Sequence, residues 1–396
     1  MEKHHRNVLV LAGCQATLQT TTITLVAVTG LAGYALAADK SLATVPLTCY
    51  VLGSAVATIP ASLSMSAIGR RAGFQLGAVI GMGGAAICAA AVYLAQFWLL
   101  CLGLFVMGVC TAFGKYYRFA AADGVQASFR AKAISLTLAG GIVGGVFGPE
   151  MAKLTTGDSG GALAYAAPYL SLIVVSIFAV LLLMKLDIPM LSAEERRAPG
   201  RPLSRIMAQP VFIVAALTAM LSYGIMNLMM TSTPLAMRAH DHHFNDAALV
   251  LQGHMIGMYG PSFFTGSLIN RFGVLNVMFV GCLLILGCVV AALSGTALFN
   301  FWTALFVLGV GWNFMYVGSS ALLTEAHTPA ERAKTQAAND FLIFVTMAIS
   351  SLTSGVLLQK SGWHAVNYGS IPFLAIAAAA TVWLMWRRRA ARLPAT

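Results

Sequence analysis

The chain repeats itself across its midpoint. Asp123 is followed, after six intervening residues, by Arg130-Ala131-Lys132, and Glu325 is followed, after six intervening residues, by Arg332-Ala333-Lys334. These copies stand 202 residues apart, from 123 to 325. A second pair stands 204 apart, from 62 to 266: Ser62-x3-Ser66-Ala67-Ile68-Gly69-Arg70-Arg71 answers to Gly266-x3-Asn270-Arg271-Phe272-Gly273-Val274. Each copy sits between two long apolar runs. Two halves of like design are therefore expected, with six apolar spans in each.

The apolar runs identify the surroundings of the fold. Only 9% of residues are charged against 59% hydrophobic, and mean hydropathy is +0.81. A helix rises about 1.5 Å per residue, so a run of about 20 apolar residues crosses a bilayer. The expected spans are 8–37, 44–67, 75–95, 98–122, 132–155, 164–185, 210–237, 248–269, 274–293, 298–323, 335–358 and 364–386. The first is too long for a signal peptide and has no small-residue cleavage site, so it is expected to be retained. The seven cysteines all fall in apolar runs and none forms a C-x-x-C pair, which suits small core hydrophobes better than a disulfide or zinc framework.

A net charge of +11 suggests nucleic acid until it is mapped. With both termini cytosolic, 18 of the 24 Lys and Arg fall in inside segments and four outside (Lys40, Lys153, Arg238, Lys360); Lys115 and Arg118 lie within a span. That asymmetry is the positive-inside pattern, so the basic balance is a topology signal and no nucleic-acid partner is expected. Residues 187–209 are rich in proline, glycine and charge. They read as a cytosolic linker between an N-terminal six-helix bundle, 1–186, and a C-terminal one, 210–396. Arg387-Arg388-Arg389 stop the last helix at the inner face, as an anchor or as an anionic-lipid contact.

Twelve spans in two halves, a central linker and these loop elements together resemble the major facilitator superfamily. Its element G-x3-D-R-x-G-R-R lies between spans 2 and 3 and again between 8 and 9. The second copy here keeps Gly266, Arg271 and Gly273 with Asn270 for the aspartate. The first keeps Gly69, Arg70 and Arg71, with Ser66 in the aspartate's place. The acid-x6-Arg element follows spans 4 and 10. Gly140, Gly144, Gly148 and Pro149 on span 5 resemble the family's antiporter motif. Leu102-Gly103-Leu104-Phe105 stands where drug antiporters carry an arginine, which weakens a multidrug reading. The run from His254 to Gly266 is similar to a bacterial subgroup that includes carriers assigned to riboflavin. The resemblance implies an all-helical integral-membrane fold of 12 transmembrane helices in two pseudo-symmetric bundles. It also implies secondary transport by alternating access in the cytoplasmic membrane.

In that family spans 1, 4, 7 and 10 line the central cavity. Polar residues here fall at helical spacing on each: Gln15, Gln19 and Thr22 on span 1; Thr111, Lys115 and Arg118 on span 4, with Tyr116 beside them; Tyr223 and Asn227 on span 7; Trp312, Asn313 and Tyr316 on span 10. Gln15, Gln19, Thr22, Lys115, Tyr116, Tyr223, Asn227, Trp312, Asn313 and Tyr316 are the candidate solute contacts, since amides both donate and accept. The competing reading is that these polar groups join helices to one another. A cation inside a bilayer is costly, so Lys115 must face water, a partner or the solute, while Arg118 has Asp123 about one turn away as an alternative partner. The candidate proton carriers are Glu150, His254 and Asp340, with Glu150 placed first because it adjoins the Pro149 kink. The candidate gate residues are Arg70, Arg71, Asp123, Arg130, Arg271, Glu325 and Arg332, with Asp123–Arg130 and Glu325–Arg332 as latches.

No glycine-rich loop carries the Lys-Ser/Thr that a nucleotide needs. No catalytic constellation stands out, and the histidine-rich run 240–246 reads as a polar loop before it reads as a metal site. The expectation is a monomeric, cofactor-free carrier that moves a small organic solute coupled to protons. The alternatives are a membrane receptor or scaffold that binds without translocating, and an uncoupled facilitator.

Overall fold

The computed structural model describes residues 3–123, 125–156, 165–189 and 200–391. Residues 190–199 of the expected linker, with Arg196 and Arg197, and the terminal Arg392 lie outside the described residues. Among those described there is no strand. Fifteen α-helices follow in order: α1 Lys3–Leu36, α2 Val45–Ile68, α3 Arg70–Tyr93, α4 Phe97–Gly114, α5 Tyr117–Ala122, α6 Ala127–Ala139, α7 Gly141–Thr156, α8 Ala166–Leu183, α9 Leu203–Met207, α10 Pro210–Ala239, α11 Phe244–Tyr259, α12 Ser262–Phe272, α13 Val274–Leu293, α14 Leu298–Leu323 and α15 Arg332–Ala390.

Eleven helical stretches among the described residues are long and apolar enough to cross a membrane. The remaining expected span, 248–269, is divided between α11 and α12, of 16 and 11 residues. The break falls at Gly260-Pro261. Proline has no N–H to continue the ladder and crowds the carbonyl one turn back. Span 4 is also interrupted: the Tyr116 N–H bonds the Phe113 carbonyl, three residues back, at 3.1 Å, a tightened turn between α4 and α5. The helix α15 holds both of the last two spans. Gly362, at φ 77°, parts them.

Both copies of the first loop motif close their turn on glycine. Gly69 and Gly273 share φ 89°, with ψ 160° and 147°, and each ends one helix and begins the next. A side chain does not tolerate that backbone, so the motif's glycine follows from the one-residue turn.

The chain divides into two compact units: Met1–Gln126 with Leu136–Ala198, and Ala127–Ser135 with Pro199–Thr396. In the first, α1 packs on α7 and α8, α2 on α4, and α3 on α4 and α8. Leu25, Val28, Tyr50, Leu100, Leu104, Met107 and Tyr169 gather in its core. In the second, α10 packs on α14 and α15, α11 on α14, and α13 on α14 and α15. The start of α6 belongs to this second unit. Ser135 Oγ donates to the Ser262 carbonyl at 2.5 Å and accepts the Gly266 N–H at 3.0 Å. Asn270 Nδ2 donates to the Ser128 carbonyl at 2.6 Å. A Cβ on Gly266 would stand 2.6 Å from Lys132 Cα, so the glycine admits the neighbouring backbone.

The ends that flank 190–199 are tied down. Asp187 exchanges hydrogen bonds with Asn7 at 2.7 and 3.1 Å. Arg201 grips Glu331 with a side-chain fork, Nε to Oε1 at 2.8 Å and Nη2 to Oε2 at 2.7 Å, while its backbone N–H adds a bond of 2.7 Å to Oε1.

Candidate solute and coupling sites

In the first unit, glycines set how close α1 comes to α7. A Cβ on Gly144 would meet Thr20 N at 2.5 Å and Gln19 Cβ at 2.6 Å, and one on Gly148 would meet Ile23 Cβ at 2.7 Å. Gly140 lies against the Ala12 carbonyl. This seam holds the stripe of Gln15 and Gln19, both buried. Thr22 is half-buried. It opens a hydroxyl chain: Thr22 Oγ1 to Tyr50 Oη at 3.2 Å, then Tyr50 Oη to Thr111 Oγ1 at 2.8 Å. The chain joins α1, α2 and α4. Tyr50 was not singled out by the sequence, because it lies on span 2 and only spans 1, 4, 7 and 10 were expected to line the cavity.

Lys115 is half-buried at the interruption of span 4. Tyr116 is fully buried and donates its hydroxyl to the Thr58 carbonyl at 2.9 Å. Arg118 is also buried. It donates Nη1 to the Lys115 carbonyl at 2.9 Å, and its guanidinium lies 4.2 Å from the Phe119 ring. Asp123 pairs with Arg70, Nε to Oδ2 at 3.0 Å, and the two side chains are 7% and 6% exposed. Glu325, at the matching place in the repeat, pairs with Arg388 at 2.6 Å, with both side chains partly exposed. The structure thus joins each acid of the repeat to an arginine of its own unit. Arg130 and Arg332 are half-buried, while Arg71 and Arg271 are exposed.

In the second unit the polar residues of α10 and α14 separate into two kinds. Asn313 is spent on neighbours: Nδ2 donates to the Met258 carbonyl at 2.6 Å and to Ser262 Oγ at 2.5 Å, and Oδ1 accepts from Thr265 Oγ1 at 2.7 Å. It closes the α11–α12 break against α14. Asn227 Nδ2 donates to the Met347 carbonyl at 3.2 Å and to Ser350 Oγ at 3.0 Å, a tie from α10 to α15.

The aromatic residues form the other kind. Trp312 stacks on Tyr316, with centroids 4.7 Å apart and planes 22° apart. Tyr223 stands edge-on to both, at 5.1 and 5.0 Å. Tyr259 stands edge-on to Trp312 at 6.1 Å. All four are buried, Trp312 to 1% exposure, and its indole N–H has no hydrogen-bond partner among the described residues. Tyr259 is an addition to the candidates. It lies just before Gly260-Pro261, and only the break that follows brings it to Trp312.

The three candidate proton carriers differ in their settings. His254 is fully buried between α11 and α14, with Nδ1 2.7 Å from the Leu305 carbonyl. A carbonyl only accepts, so Nδ1 carries the hydrogen and Nε2 is left as a buried acceptor with no partner among the described residues. Asp340 is buried and accepts from Asn339 Nδ2 at 2.8 Å. Glu150 is exposed. In the histidine-rich loop, His240 Nδ1 and His242 Nε2 are engaged by the carbonyls of Ala236 and Thr296 at 2.8 and 2.7 Å.

The model of the Major Facilitator Superfamily matches residues 9–316 and 226–395, which together span nearly the whole chain. The chain belongs to the major facilitator superfamily. It is 38% identical over 373 residues to the riboflavin transporter RfnT of Brucella anthropi, covering 94% of each. It is 28% identical over 366 residues to YddS, an uncharacterized transporter of the same superfamily from Bacillus subtilis, covering 88% of this chain and 84% of that one. Among solved structures, its fold matches that of the transporter FucP in an outward conformation with a TM-score of 0.75 at 16% identity, covering 96% of this chain and 99% of that one. It matches the human organic anion transporter TETRAN with a TM-score of 0.78 at 12% identity, covering 96% and 100%. This superfamily member is therefore a multi-pass inner-membrane protein of transporter fold, and its relatives are transporters.

Proposed function

We propose that this protein carries a flavin-like solute, with riboflavin as the first candidate, across the inner membrane by alternating access, coupled to protons. Both termini lie in the cytosol, and the carrier works as a monomer without a cofactor. The observation that supports this reading is the buried box of Tyr223, Trp312, Tyr316 and Tyr259. It offers flat and edge-on ring surfaces within one unit, the surroundings that a planar heteroaromatic solute requires. The relation to a riboflavin transporter over 94% of both chains points the same way. Within the first unit taken by itself, Gln15, Gln19, Thr22, Lys115 and Tyr116 are the candidate polar contacts. Asn227 and Asn313 serve chiefly by holding α10 and α14 in place.

Uptake of labelled riboflavin into proteoliposomes tests the reading. Accumulation above the external concentration under an inward proton gradient is expected. Uptake that only equilibrates identifies a facilitator. Binding without uptake identifies a receptor. Neither binding nor uptake removes riboflavin as the solute.

A further inference from the structure

We infer that the indole N–H of Trp312 is the donor by which this protein reads an acceptor atom on the rim of its solute's ring, which makes Trp312 a specificity-determining residue. The inference rests on the flavin-like reading and adds to it the atom that recognises the solute and the feature the solute must present.

The Trp312 indole N–H is buried with no hydrogen-bond partner among the described residues. An indole nitrogen donates and never accepts. A buried donor without an acceptor is costly, most of all inside a membrane where water does not compensate it. The buried hydroxyls of Thr137 and Thr218 also lack partners among the described residues, but a hydroxyl rotates toward the helix carbonyl one turn back. The indole N–H is fixed in the plane of its ring and has no such recourse.

Packing alone does not call for a nitrogen here. Tyr316 covers one face of Trp312, and Tyr223 and Tyr259 meet it edge-on. A phenylalanine makes the same kinds of ring contact. What tryptophan adds is a donor held in the plane of its ring, beside tyrosine hydroxyls that can rotate. A solute that satisfies it approaches in the plane of the indole and presents a carbonyl oxygen on its edge. The ligand class is therefore a flat heteroaromatic with edge acceptors, and a hydrocarbon ring of the same size is excluded. A lone acceptor facing a buried donor discriminates well, because an analogue without it leaves the donor unpaired.

The test is a titration of the purified full-length protein with riboflavin, followed by quenching of flavin fluorescence, alongside 2-thioriboflavin and 4-thioriboflavin. In each analogue one ring carbonyl becomes a weaker acceptor. The unsubstituted protein should bind one thio analogue about tenfold more weakly than riboflavin, the loss expected for one hydrogen bond. Trp312→Phe should weaken riboflavin by a similar factor and bind that analogue and riboflavin alike. Trp302→Phe removes an indole from α14 outside the box and should change neither affinity. If the unsubstituted protein does not bind riboflavin, the flavin-like reading falls and this inference with it. If it binds riboflavin and both analogues equally, the inference alone is overturned, whether or not Trp312→Phe folds.

Discussion

Asp123 and Glu325 hold equivalent places in the repeat, yet their surroundings set different values on their charge. The Asp123–Arg70 pair is 7% and 6% exposed, so removing one partner strands a buried charge. Asp123→Asn should lower stability by about 3–5 kcal/mol, read as a fall in detergent thermal unfolding. The Glu325–Arg388 pair is open to solvent at 47% and 32%, and Glu325→Gln should cost about 1 kcal/mol or less. Equal losses would mean that burial does not decide the value of these pairs. The sequence identified both acids but did not point to Arg70 and Arg388 as partners. Asp123 stands 53 positions from Arg70 and only seven from Arg130, and spacing favours the nearer arginine. Asn313 carries the same lesson. Its place beside Trp312 suggests a solute contact, while its three bonds to α11 and α12 are those of a helix tie. Asn313→Ala should lower the unfolding temperature, at a cost of about 1–2 kcal/mol for lost interhelical bonds, before it changes which solute binds.

Among the elements, glycine carries the most readable information. Gly69 and Gly273 share one backbone conformation, so alanine at either should introduce the same strain, roughly 1–3 kcal/mol. Closely matched falls in thermal stability for Gly69→Ala and Gly273→Ala would bear this out; a loss at only one would show that the two turns are not equivalent. The glycines of α7 act through space rather than through φ. Gly144→Leu should force α1 away from α7 and abolish uptake while the protein still inserts, since its Cβ alone would fall 2.5 Å from Thr20 N. Twelve spans were legible because each is a run of apolar residues at least as long as a bilayer is thick. The division of span 8 was less so. Gly260-Pro261 was visible, but proline in membrane helices is often absorbed as a kink, and only the structure separates α11 from α12. The ring box was legible in part, since Trp312 and Tyr316 share a stripe of one helix. Tyr259 comes from a different helix and was not.

At the scale of the whole molecule, proton coupling is tested by removing the groups that could carry the proton. A coupled carrier needs a group that exchanges a proton as its surroundings change, and it must hold that group away from water between exchanges. His254 and Asp340 are buried, while Glu150 is exposed. His254 has the clearer chemistry. Its Nδ1–H is committed to the Leu305 carbonyl, and Nε2 is an acceptor with no partner among the described residues. The contact between α11 and α14 that encloses it is built on glycines: a Cβ on Gly309 would lie 2.6 Å from the His254 carbonyl and 2.7 Å from Met258 N. A seam of small residues lets helices slide with little steric resistance, so a shift of α11 along α14 would open Nε2 to a proton. His254→Gln keeps a hydrogen-bonding side chain and removes the titration. It should abolish accumulation of solute under a proton gradient and leave exchange of labelled for unlabelled solute intact, because exchange moves no net proton. Accumulation that survives His254→Gln and fails in Asp340→Asn would transfer the role to Asp340. Accumulation that survives His254→Gln, Asp340→Asn and Glu150→Gln would remove all three as indispensable proton carriers and leave another ion, or solute exchange, as the driving force.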